Sequence, residues 1–75
     1  PAPGMVKAAC AELDVEPARV VVVGDIGADV GAAEAAGATG ILVPTPVTRR
    51  SEVEAAHRTA RDLTAAVDAV LAGDW

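Results

Sequence analysis

A parallel α/β fold is what this sequence predicts, on three observations. Residues 20–23 are four consecutive valines, an unalternating β-branched run that suits a strand covered on both faces. A second short apolar run, residues 39–43, ends at Pro44. Between and around these runs the chain is rich in alanine and shows helical spacing, so strands alternate with helices as in a βαβ unit.

The elements follow in order. Pro3 suits a first helical turn, where its missing N–H costs nothing. Val6, Cys10 and Leu13 then fall at helical spacing with Ala9 on the same face, while Lys7 and Glu12 lie off it. That helix should stop near Asp14, because Pro17 cannot continue it. The valine strand follows and breaks at Gly24. A second helix fits residues 29–36, ended by Gly37 as a left-handed cap. With the strand at residues 39–43 this completes one βαβ unit, for which a right-handed crossover is expected. Residues 44–50, Pro-Thr-Pro-Val-Thr-Arg-Arg, read as a loop, after which Ser51 can cap a short helix carrying Val53. Residues 57–61 are polar and fit either an edge strand or coil. Leu63, Val67, Val70 and Leu71 mark a last amphipathic helix, capped by Asp62 or Thr64 and stopped by Gly73. No internal repeat is present.

Composition bounds the function. The chain has 75 residues, below the ~100–200 of a usual domain. Hydrophobic residues make up 52%, yet Trp75 is the only aromatic and alanine and valine supply most of the apolar positions. Disorder is excluded, since it needs low hydrophobicity and high charge. Alanine buries little area, so a marginal unit or a piece of something larger is expected. A net charge of −5 argues against nucleic acid or an anionic membrane as partner. Lone Cys10 can form neither an internal disulfide nor a thiolate metal cluster, and reads as a small core residue. No apolar stretch approaches the ~20 residues of a membrane span, and no signal peptide opens the chain. A cytoplasmic, acidic protein is the expectation.

The informative residues sit where the first strand ends. In an open α/β sheet, ligands bind beyond the carboxyl ends of the strands, and here that position reads Gly24-Asp25-Ile26-Gly27-Ala28-Asp29. Asp25 and Asp29 can converge on a small volume, and oxygen-only ligands with room for water suit Mg²⁺. Gly24 and Gly27 leave space for a tight backbone turn beside them. The plainer reading is that Asp25 is turn chemistry and Asp29 a helix cap and dipole partner. A dinucleotide site is set aside, because Ile26 stands where Gly-x-Gly-x-x-Gly needs glycine and two carboxylates would repel a pyrophosphate.

Pro1-Ala2-Pro3-Gly4-Met5, an apolar helix, Val-Val-Val-Val-Gly-Asp-x-x-x-Asp and Ala-Ala-Glu-Ala-Ala-Gly together resemble the C-terminal half of a haloacid dehalogenase (HAD) superfamily phosphatase. The likeness covers essentially the whole chain and is greatest to the histidinol-phosphate and heptose-bisphosphate phosphatase subgroup. It implies a partial HAD fold: a Rossmann-like, three-layer α/β/α parallel sheet, with residues 1–75 as one partial domain. It also implies Mg²⁺ as cofactor. Asp25 resembles the fourth-motif aspartate that helps hold the metal, and Asp29 its companion. Pro1 to Gly4 resemble the stretch after the third-motif lysine, which would precede Pro1; Lys7, within the helix, is no substitute.

The family's first motif, Asp-x-Asp, supplies nucleophile and acid/base, and nothing in the chain matches it. Thr39, Thr45 and Thr48 lie downstream of where the second-motif hydroxyl belongs. The resemblance therefore implies a phosphatase acting on a small phosphoester, of sugar phosphate or histidinol-phosphate type, through an aspartyl-phosphate, with this chain inactive by itself. The alternative is a non-catalytic α/β binding or structural module. Gly24, Gly27 and Arg49 are the phosphate-side candidates, although the favoured reading of Arg49 and Arg50 is a solvated loop pair. Thr45 and Thr48 stand near a family Thr-Gly from which Pro46 departs. His57 has no metal-spaced partner in the sequence and reads as surface, and Trp75 as a terminal residue that docks or frays. Absence of the neighbouring strand would leave an apolar strand edge open, so association with an N-terminal half, or self-association, is expected.

Overall fold

The computed structural model describes residues 3–75; the readings placed on Pro1 and Ala2 lie outside the described residues. Helix α1 spans Pro3–Leu13. It ends as expected, but through Asp14, which takes a left-handed φ of 56°. The Val15 N–H donates to the Cys10 carbonyl at 3.0 Å, the closing bond usually built around glycine. Aspartate is among the few residues that tolerate this conformation. Pro17 then opens a single 3₁₀ turn, Pro17–Arg19. This turn takes up the start of the valine run, so strand β1 is Val21–Gly24, one residue later than the sequence suggests.

Helix α2 spans Gly27–Ala35, starting two residues earlier than expected and placing Asp29 within its first turn. Gly37 (φ 89°) ends it, with the Ala38 N–H donating to the Ala33 carbonyl at 2.9 Å. Strand β2, Thr39–Leu42, pairs parallel with β1 in the register Val21↔Thr39 to Gly24↔Leu42. The α/β class is thus observed, as one βαβ unit with helices around it. Gly40 lies against α2: a Cβ there would fall 2.6 Å from Val30 Cγ1 and 2.8 Å from the Val30 carbonyl oxygen. Only glycine permits this approach of helix to strand.

Helix α3 is Arg50–Ala55 and begins after Arg49. Ser51 is therefore inside the helix and does not cap it; the Glu52 carboxylate reaches back to the Arg49 N–H at 2.7 Å instead. The ambiguous segment at 57–61 is no strand but touches the end of β2. Thr59 forms a parallel bridge with Leu42, through Leu42 N–H to the Arg58 carbonyl and Ala60 N–H to the Leu42 carbonyl, both at 2.9 Å. Helix α4 is Leu63–Leu71, and of its two candidate caps Asp62 serves, accepting from the Ala65 N–H at 2.8 Å. Gly73 closes it with φ 75°.

The core consists of Cys10, Val30, Ala32, Ala33, Ala36, Ala38, Ile41, Leu42 and Ala66. Cys10 is buried as the sequence suggests. Two expectations need correction. Strand β1 is not covered on both faces: its residues are half-buried and Val23 is 37% exposed. Among the described residues β1 has β2 on one side and no strand on the other. Of the α4 stripe, Leu63, Val67 and Leu71 are also exposed and Val70 is half-buried, while Ala66 is fully buried. No helix among the described residues is long and apolar enough to cross a membrane.

Candidate functional site

The parallel register brings both strands to a finish at one level, because Gly24 pairs with Leu42. The segments that follow, residues 25–26 and 43–49, therefore share the carboxyl end of the sheet, the ligand end of such folds. Asp25 leaves β1 directly into this end and is exposed, while Asp29 is half-buried in the first turn of α2. A Cβ on Gly24 would sit 2.8 Å from Asp29 Cβ and 3.1 Å from Asp29 Oδ2. The Asp29 side chain thus folds back across the end of β1, beside the backbone that carries Asp25. The role of Gly24 is to leave room for that carboxylate.

Two side chains from beyond β2 bind this corner. Thr48 Oγ1 donates to the Asp25 carbonyl at 2.7 Å. The same oxygen accepts from the Thr45 N–H at 2.9 Å and lies 3.3 Å from Thr45 Oγ1. Glu52 Oε1 accepts from the Gly27 N–H at 2.7 Å, and its Oε2 from the Arg49 N–H at 2.7 Å. The Gly27 N–H is one of the donors that a helix start leaves without an intrahelical partner, so a carboxylate is well placed there. Those bonds, Gly27 first and Arg49 second, hold the Glu52 carboxyl below its ordinary value, assisted by the Arg49 charge and opposed by desolvation.

The candidates named from sequence thus divide. Asp25, Asp29, Gly24 and Gly27 come together at one corner. Arg49 joins through its backbone N–H. Arg50 lies along α3, with Nε 3.6 Å from Glu54 Oε1 on an exposed face. His57 is exposed as expected but has a carboxylate partner that only folding supplies, its Nδ1 lying 2.9 Å from Glu34 Oε2. Sequence reasoning missed Glu52. Its signal was its place three residues after Arg49 at a helix start, the back-bonding position of a capping box. Thr48 was noticed without a role, which is to hold Asp25.

Two hard oxygen donors fit Mg²⁺, which takes one or two carboxylates and keeps several waters. Among the described residues no group of three or more His, Cys, Asp or Glu gathers to hold a metal, so Asp25 and Asp29 would supply at most part of a shell. Compared with known proteins, residues 1–70 match the model of the HAD-hydrolase-like family. No curated protein and no solved structure matches. A family match over nearly the entire length, on a βαβ unit with an aspartate at the end of its first strand, places the chain in the HAD-like hydrolase family.

Proposed function

We propose that this chain supplies the Mg²⁺-binding corner of a HAD-type phosphatase acting on a small phosphoester, of sugar phosphate or histidinol-phosphate type. The observation that carries this reading is the Asp29 side chain folded over Gly24, next to the backbone that carries Asp25, at the carboxyl end of β1. In this reading Asp25 ligates the metal and Asp29 binds it directly or through water. Bound Mg²⁺ would offset the charge of the phosphate. Phosphoryl transfer through an aspartyl-phosphate also needs a carboxylate nucleophile in line with phosphorus. No Asp-x-Asp stands in the sequence to provide one, so we expect no turnover from these residues by themselves.

Among the described residues the edge of β1 away from β2 carries no strand, and an apolar groove of about 250 Å³ lies between α1 and the start of β1, lined by Met5, Val6, Leu13, Val20 and Val22 among others. A parallel strand added to that edge would end beside Asp25, bringing its own terminal side chains to the metal corner. We propose that β1 takes up the nucleophile-bearing strand of the enzyme there. Self-association through the same edge is the competing outcome, and sedimentation of the protein alone at high concentration tests whether the edge is open. A stable dimer favours self-pairing, and a stable, soluble monomer counts against both.

Titration with Mg²⁺, followed through backbone amide shifts, tests the metal reading. Shifts confined to residues 24–29 and lost in Asp25→Asn are expected. A flat titration would favour the second reading, a binding or structural module that retains the fold without the chemistry. Asp25-dependent hydrolysis of p-nitrophenyl phosphate by the purified chain would overturn the expectation of inactivity.

A further inference from the structure

We propose that Thr48 and Glu52 are positioning residues for Asp25, two side chains from the far segment that pin the two ends of the turn between β1 and α2. The inference rests on the reading of Asp25 and Asp29 as Mg²⁺ ligands. Asp25 and Ile26 lie between the last residue of β1 and the first of α2, outside both elements. Thr48 Oγ1 holds the carbonyl at the near end of this turn, on Asp25 itself, and Glu52 Oε1 holds the N–H at the far end, on Gly27, each at 2.7 Å.

Each holding group is itself held. The Thr48 oxygen accepts from the Thr45 N–H, which directs its own hydrogen away toward Asp25. The second Glu52 oxygen accepts from the Arg49 N–H, which fixes the carboxylate plane. Both side chains are therefore anchored within the segment after β2 and reach across once. Space agrees with this: a Cβ on Gly27 would lie 3.1 Å from Glu52 Cγ, so glycine lets the carboxylate seat closely on its N–H. The metal makes such bracing matter. Mg²⁺ requires near-ideal octahedral geometry, and groups that orient a ligand from behind commonly alter affinity by about 10–100-fold.

The test uses Mg²⁺ alone as the probe, with amide shifts of residues 24–29 as readout, on the parent protein and on Thr48→Val, Thr48→Ser and Glu52→Gln. Thr48→Val leaves charge untouched and removes only the hydroxyl. About tenfold weaker Mg²⁺ binding is expected, at a nearly unchanged melting temperature, with recovery in Thr48→Ser. Glu52→Gln keeps one acceptor oxygen where two are used, so weaker binding and faster amide exchange at Gly27 are expected. Should Thr48→Val fail to fold, Glu52→Gln carries the comparison. Equal Mg²⁺ affinity in the parent and the folded variants overturns the positioning roles and leaves the metal reading intact. A flat titration in the parent overturns the metal reading and this inference together.

Discussion

At the seam between α2 and the sheet the side chains are small and covered, whereas on the outer faces of α1 and α4 they are large and bare. Ala33 and Leu42 are fully buried, while Leu13 is 72% and Leu71 81% exposed. The two regions differ in geometry. In the seam Val30 lies on Gly40 closely enough that no Cβ fits between them. Backbones at that distance gain dispersion contacts without large side chains. Among the described residues, nothing covers Leu13 or Leu71 to that extent. The contrast teaches that the fold of this chain is set by how closely its backbones approach, and that its bulkiest residues are free for other contacts.

Substitutions at the two regions should separate accordingly. The largest effect is expected from Leu42→Ala, which opens a cavity at the fully buried centre of the sheet and should cost about 2–5 kcal/mol. Thermal unfolding checks it, since about 1 kcal/mol moves the midpoint of so small a protein by about 4–8 °C. A loss under about 1 kcal/mol would mean that the seam is looser than described. Gly40→Ala comes next, at about 1–3 kcal/mol, because the added methyl meets Val30 and its backbone. An unchanged melting curve there would remove the close-approach argument.

A smaller effect concerns Glu52, at the edge of the seam. Its folded-state pKa is depressed, so its contribution is present above the ordinary glutamate value of about 4.3. That contribution is lost as pH falls through the lower folded value. Denaturant titrations of the parent and Glu52→Gln should therefore differ at pH 7 and converge in acid. A gap independent of pH would deny the two backbone hydrogen bonds their role. Least of all should Leu71→Ser matter, within about 0.5 kcal/mol, because the leucine touches little. A large loss there would show that the outer stripe is covered after all, and would erase the contrast.

Much of the fold was legible in local pattern. The valine run, Pro17, Gly37 and Asp62 each act through their own backbone or their nearest neighbours, so β1, the end of α1, the end of α2 and the start of α4 fall close to where sequence puts them. The errors have a common cause. Ser51 lost the cap to Glu52 because a carboxylate three residues into the helix could reach two N–H groups at once. The stripe on α4 stayed exposed because periodicity reports that a helix has an apolar face and says nothing of what faces it. Residues 57–61 lack the composition of a strand and became one end of a bridge through Leu42 alone.

The sequence by itself determined the α/β alternation, the glycine and proline punctuation, and the corner at which Asp25 and Asp29 stand. These depend on backbone preference and on neighbours within one turn or one strand. Tertiary structure alone decided that Thr48 meets Asp25, that Glu52 meets Gly27, and that His57 meets Glu34. Those partners are 23 to 25 residues apart in the chain. The parallel register of β1 and β2, which stops both strands at one level, brings the first two pairs within hydrogen-bond reach.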